Sequence, residues 1–79
     1  GQIKNNSSTG IIVAGGSAEL GLTNNMLTIE GNGGNGVTVE GNDCDVTINN
    51  TIIDTNALDG VYVNTTGKVI INKSDIKNR

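Results

Sequence analysis

TGIIV at 9–13, NGVTV at 35–39 and DGVYV at 59–63 are one phrase written three times. In each copy a glycine leads two apolar residues separated by one position: Ile11 and Val13, Val37 and Val39, Val61 and Val63. Recurrence at about 25 residues is the mark of a stacked, solenoid-like architecture, in which each repeat buries its apolar face only against its neighbours. The copies also match outside the phrase. At an offset of 26, Gly10 falls on Gly36, Ile11 on Val37 and Val13 on Val39. Carried further, the same offset places Leu20 on Val46, Leu22 on Ile48, Asn24 on Asn50, Met26 on Ile52 and Leu27 on Ile53. Between the second and third copies the offset starts at 24 (Gly36 on Gly60) and falls to 23 (Val46 on Val69, Ile48 on Ile71, Asn49 on Asn72, Ile53 on Ile76). Offsets that change only between segments place the length variation in turns.

Each copy divides into three short segments. In the first, a period of two sends the valine and isoleucine pair one way and Ile12, Thr38 and Tyr62 the other. The second carries Leu20 and Leu22, Val46 and Ile48, Val69 and Ile71, and the third carries Leu27 and Ile29, then Ile53, then Ile76. Three strands per copy close one rung of a triangular coil. Strands of successive rungs then pair in parallel at about 4.8 Å, so equivalent residues stack in columns. Ile11, Val37 and Val61 form one expected column, and Leu22, Ile48 and Ile71 another. Asparagines at the corners tolerate left-handed backbone and bond to like neighbours, which predicts polar ladders of Asn24 above Asn50 and Asn49 above Asn72. The GNGGNG run at 31–36 reads as a flexible corner. Residues 1–8 lack the repeat pattern and read as irregular or as an incomplete rung, with residues 9–79 forming the three rungs.

Composition agrees with a narrow coil. Among 79 residues there are twelve glycines, no Phe, Trp, His or Pro, and a single aromatic, Tyr62. A compact domain of this size normally depends on large side chains or staples. Here the apolar residues are chiefly Ile, Val and Leu, and the β-branched ones suit strands. A net charge of −3 argues against a nucleic-acid partner, which requires a basic stripe. The longest apolar run, Ile11 to Ala14, is far short of the roughly 20 residues that span a bilayer. Cys44 has no second cysteine to pair with and reads as a small turn-region or partly buried side chain. No acid and base face one another across a groove, and the pattern implies neither a cofactor nor a metal site. Outward Tyr62 offers a ring for stacking on a sugar, with Thr38, Glu40 and Asn64 as hydrogen-bonding neighbours. The plainer reading of Tyr62 is a partly exposed strand residue covering a neighbouring rung. Met26, Ile52 and Ile70 also point outward, as an apolar strip.

The stretch VTINNTIIDTNALDGVYVNTTGKVIINKSDIKNR at 46–79 resembles the right-handed parallel β-helix repeat of pectate-lyase-like proteins. Its alternating strand, Asn-containing corner, isolated Ile and Gly-led strand match that repeat. The resemblance implies an all-β, single-stranded parallel β-helix of about three rungs in a secreted, cell-surface or virion protein. Adhesin stalks, phage tailspikes, polysaccharide lyases and hydrolases belong to that class. None of the lyases' catalytic basic residues falls on a position here, so the expected role is a structural or glycan-binding segment and not an enzyme. A non-catalytic fragment of a polysaccharide lyase or glycoside hydrolase, and a self-assembling fibre unit, stand as alternatives. Three rungs with bare ends expose unpaired strand edges. They imply a fragment of a longer solenoid, or self-association through the open ends, with polysaccharide as a second class of partner.

Overall fold

A computed structural model describes residues 1–77. The described chain is all strand, turn and bend, in the order β1 (Gln2–Lys4), β2 (Ile11–Val13), β3 (Ser17–Leu20), β4 (Leu27–Glu30), β5 (Val37–Gly41), β6 (Asp45–Asn49), β7 (Thr51–Asp54), β8 (Val61–Thr65), β9 (Lys68–Asn72) and β10 (Asp75–Ile76). Every third strand joins the same sheet. Sheet I is β1-β4-β7-β10, sheet II is β2-β5-β8 and sheet III is β3-β6-β9, all parallel. The chain is a parallel β-solenoid of about three turns, and its shortest dimension of 16 Å is the height of that stack. Among the described residues no helix is long and apolar enough to cross a membrane.

The inward columns fill the coil with aliphatic side chains. Ile11, Val37 and Val61 align, as do Val13, Val39 and Val63 in sheet II, and Ile3, Ile29, Ile53 and Ile76 in sheet I. Burial is greatest where a rung has neighbours on both sides. Val37, Val39, Val46, Ile48 and Ile53 of the middle rung are fully buried. Their equivalents in the third rung are not: Val63 is 49% and Ile71 43% exposed.

The first rung departs from a constant offset. Sheet III pairs Ala18 with Val46 and Leu20 with Ile48, so the column beneath Ile71 is Leu20 and Ile48, and Leu22 lies outside it, 56% exposed. In sheet I, Thr28 and Ile29, not Met26 and Leu27, oppose Ile52 and Ile53. Between register-equivalent residues the corner from β2 to β3 is the shortest of its kind, four steps from Val13 to Ser17 against six from Val39 to Asp45 and five from Val63 to Lys68, and it turns through Gly15 and Gly16 at φ 109 and 79. The next corner is longer by a small excursion closed by paired Leu22 and Asn25. Ladder register and apolar fit decide which residues stack, and the turns absorb the difference. Asn49 and Asn72 do form a ladder (3.1 Å). Asn24 does not sit on Asn50; the Asn50 amide instead donates to the Leu22 and Thr23 carbonyls at 3.0 and 3.2 Å, tying down the excursion.

GNGGNG is an ordered corner rather than a loose one. Asn6, Asn32 and Asn56 stack between sheets I and II, and the latter two are buried. The Asn32 side-chain oxygen accepts from the Asn6 backbone N–H and Nδ2 (3.1 and 2.9 Å), and Asn32 repeats both bonds to Asn56 (3.0 Å each). Asn32 Nδ2 also donates to the Ile3 carbonyl (3.3 Å), so all four of its side-chain valences are used. The ladder explains the repeated glycines. A Cβ on Gly36 would lie 2.6 Å from the Gly60 oxygen and from Ile53 Cγ2, and 2.8 Å from Asn56 Nδ2. Residues 2–4, which lack the repeat pattern, nevertheless pair with β4.

Replacing Asn32 by Ala removes one of the two donors to the buried Asn56 side-chain oxygen, the acceptor of the Asn6 N–H and Nδ2, and a donor to the Ile3 carbonyl, and should lower unfolding free energy by roughly 2–4 kcal/mol. Asn6→Ala, at an exposed end of the same ladder, should cost about 1 kcal/mol or less. Chemical denaturation followed by far-ultraviolet circular dichroism checks the pair; equal costs would contradict a ladder centred on Asn32.

Candidate functional site

The outer face of sheet II carries the four residues singled out from the sequence. Alternation along β5 turns Val37 and Val39 inward and Thr38 and Glu40 outward, and β8 repeats this with Tyr62 and Asn64. Parallel register sets Thr38 against Tyr62 and Glu40 against Asn64, so the four form one patch on two adjacent strands. Three of them are accessible: Glu40, Asn64 and Tyr62, the last 42% exposed. Thr38 is not, at 7%. It lies between Ile12 and Tyr62 in the column, and its hydroxyl oxygen accepts a bond from Asn35 Nδ2 (2.9 Å). Direction along a strand follows from alternation, but access depends on what neighbouring strands and corners place on top. Thr38 is therefore covered at the edge of the patch, with its hydroxyl held by Asn35.

The patch continues into the corner after β8. Gly41, Asn42, Asn64, Thr65 and Thr66 line a shallow hollow of about 270 Å³. Its threonines are already engaged: Thr66 Oγ1 accepts from the Asp43 N–H (3.1 Å), and Thr65 Oγ1 from the Cys44 and Gly67 N–H groups (3.2 and 3.0 Å). The carboxamides of Asn42 and Asn64 and the carboxylate of Glu40 make no side-chain hydrogen bond or ion pair among the described residues. An exposed ring beside unengaged amides and a carboxylate on a rigid sheet can stack on one face of a sugar and hydrogen-bond its hydroxyls. Asn42 was the member that alternation could not find, because it belongs to a corner. Its signal lay in the third copy, where Thr65 and Thr66 follow Asn64 at the equivalent turn.

Sheet III bears a larger hollow, about 330 Å³ and lined by Ser17, Ala18, Glu19, Asp45 and Thr47, but no aromatic ring stands beside it. Sheet III presents Asp45 beside Lys68 and Thr47 beside half-exposed Ile70. Sheet I carries Lys4 on Glu30 at 3.5 Å, an exposed pair of small energetic weight. Met26 and Ile70 are exposed (49% and 42%), whereas Ile52 is half-buried, so the apolar strip read from the sequence is broken. No cluster of three or more His, Cys, Asp or Glu side chains comes together among the described residues. Cys44 is buried at the corner between β5 and β6, where Sγ donates to the Glu40 carbonyl (3.3 Å). Gly67 packs directly on its backbone, leaving no room for a side chain. No family model, curated protein or solved structure matches the chain.

Because the Cys44 thiol is enclosed by its own corner, it should react with a thiol reagent at least about a hundredfold more slowly in the native chain than in the unfolded one. Timed labelling read by mass spectrometry measures the ratio, and native labelling at the unfolded rate would refute the enclosed position.

Proposed function

We propose that the chain is a structural and binding segment of an extracellular or surface β-helical protein, of the adhesin-stalk or tailspike kind, that presents the outer face of sheet II to glycans. The observation that carries this reading is the juxtaposition of half-exposed Tyr62 with unengaged Glu40, Asn64 and Asn42 on two paired strands. A solenoid face of this sort is flat, and its backbone is committed to the ladder. Ligand recognition therefore falls to side chains that differ from rung to rung, as Ile12, Thr38 and Tyr62 do. A secreted or cell-surface setting belongs to the same reading.

A second reading, self-association through the ends, draws on a separate observation. Val63, Ile71 and Ile76 stand in core columns yet are 49%, 43% and 38% exposed on the third rung. Apolar columns beside unpaired strand edges favour addition of further strands.

Tyr62 is the sole aromatic residue, so its fluorescence reports the patch directly. Titration with a panel of neutral and acidic oligosaccharides should change the emission saturably. Tyr62→Ala should weaken binding by about tenfold or more, as expected for losing a stacking contact of ~1.4 kcal/mol, while leaving the circular dichroism spectrum intact. Binding unaffected by Tyr62→Ala would reject this face, and turnover of an oligosaccharide would favour the enzyme-fragment alternative.

A further inference from the structure

The first and last strands of sheet I carry the same short text. Gln2-Ile3-Lys4-Asn5 in and after β1 and Asp75-Ile76-Lys77-Asn78 in and after β10 share Ile-Lys-Asn in identical order. They also occupy equivalent seats. Ile3 opposes Ile29 on β4, and Ile76 opposes Ile53 on β7, both in one core column. Lys4 opposes Glu30, and the next step of the β10 register sets Lys77 opposite Asp54, with the Lys77 N–H donating to the Ile53 carbonyl (2.7 Å).

The two seats are not equally well filled. β1 pairs over three residues, its Lys4 reaches Glu30, and the Asn6 that follows enters the buried ladder. β10 pairs over two residues, both exposed, and its Lys77 turns to Asp75 (3.4 Å) instead of crossing to the neighbouring strand. Asp54 Oδ1 is thereby left buried with no hydrogen-bond partner among the described residues. Where β4 offers Glu30 to Lys4, β7 offers an Asp54 that no described residue satisfies. Asn6 enters the ladder after β1, and no described residue after β10 bonds to the Asn56 side chain.

Strand counts give these observations a direction. Sheet I has four strands where sheets II and III have three. One copy can therefore stack on the next in sheets II and III only if the two sheet I end strands compete for a single seat. We propose that copies of this chain join head to tail by strand exchange, β1 of an incoming copy displacing β10 from β7. In the joined state incoming Gln2, Ile3 and Lys4 oppose Ile52, Ile53 and Asp54. The Lys4 ammonium meets the unpartnered Asp54 oxygen. Incoming Asn6 supplies its side-chain oxygen to Asn56, continuing the carboxamide ladder across the junction. Incoming Ile11 and Val13 cover Val61 and Val63, and incoming Ala18 and Leu20 cover Val69 and Ile71, extending the columns that the third rung leaves open. The contact is heterologous and does not close on itself, so it generates linear chains of copies. This deepens the end-association reading above and rests on it.

Two measurements on the full chain separate the route from association itself. Sedimentation velocity should show mass rising with concentration. Ile76→Asp, which weakens the occupant of the seat, should lower the half-assembly concentration by about tenfold, and Ile3→Asp, which spoils the incoming strand, should raise it by about as much. Simple destabilisation would move both variants the same way and would overturn the exchange. In the second measurement, Gln2→Cys and Ile52→Cys are combined in one chain. Within a copy β1 and β7 are separated by β4, roughly two strand spacings or 9–10 Å, too far for a disulfide. Across the junction the two positions are adjacent. Oxidation should give a ladder of dimer, trimer and higher multimers on a non-reducing gel. Association without this cross-link overturns strand exchange while sparing end association; a chain that stays monomeric at every concentration overturns both.

Discussion

The column of Asn6, Asn32 and Asn56, buried at its last two members, is the interaction on which the rest of the coil depends. A carboxamide that spends two acceptors and two donors on its neighbours fixes both the spacing and the lateral position of successive rungs at that corner. The backbone is bent to serve it. The residue before each ladder asparagine lies in the left-handed region: Asn5 at φ 59, Gly31 at 68 and Thr55 at 55. For Asn and Gly that conformation is ordinary, but for β-branched Thr55 it is unfavourable, and the bonds made by Asn56 offset it. Four residues on, the chain returns so closely that a Cβ on Gly10 or Gly36 would meet the ladder amides of Asn32 and Asn56 at 2.9 and 2.8 Å, and one on Gly60 would meet Ile76 Cγ2 at 2.7 Å. Asparagine, glycine and the adjacent isoleucine column are thus one steric and polar unit, repeated once per rung.

That unit makes a slim core workable. Among the described residues no side chain larger than isoleucine is fully buried. Parallel stacking puts like on like, so Val, Ile and Leu meet without voids that an aromatic would be needed to fill. The cost of the arrangement is one-dimensionality. Each rung is stabilised by its neighbours; in sheets II and III only the middle strand has both, whereas in sheet I β4 and β7 each do. The gradient from fully buried Val39 to half-exposed Val63 within one column follows from position in the stack, since the two side chains are identical.

Core and outer face are therefore set by different residues of the same strands. Inward positions are aliphatic in every rung; outward ones on sheet II run from Ile12 through Thr38 to Tyr62. The patch of Glu40, Tyr62, Asn64 and Asn42 exists because the ladder holds β5 and β8 in register. Asp54 at the opposite sheet illustrates the converse, a side chain whose seat was set by the stack and whose partner was not.

The sequence by itself determined the class of fold, the rung count and the sheet II columns. A period of two within strands and of about 25 between them leaves one geometry that buries Ile11, Val37 and Val61 together. It also held the asparagine ladder in plain view, since Asn6, Asn32 and Asn56 keep the same spacing as Gly10, Gly36 and Gly60, but identical spacing does not reveal burial. Only the tertiary structure decided the sheet III register of the first rung, because a short corner at Gly15 and Gly16 raises the offset from 26 in sheet II to 28 in sheet III, and the long corner that follows lowers it to 24 in sheet I. It alone decided that Thr38 is covered while Tyr62 is open. Alternation tells a side chain which way to point; the strands and corners beside it set how much solvent it meets.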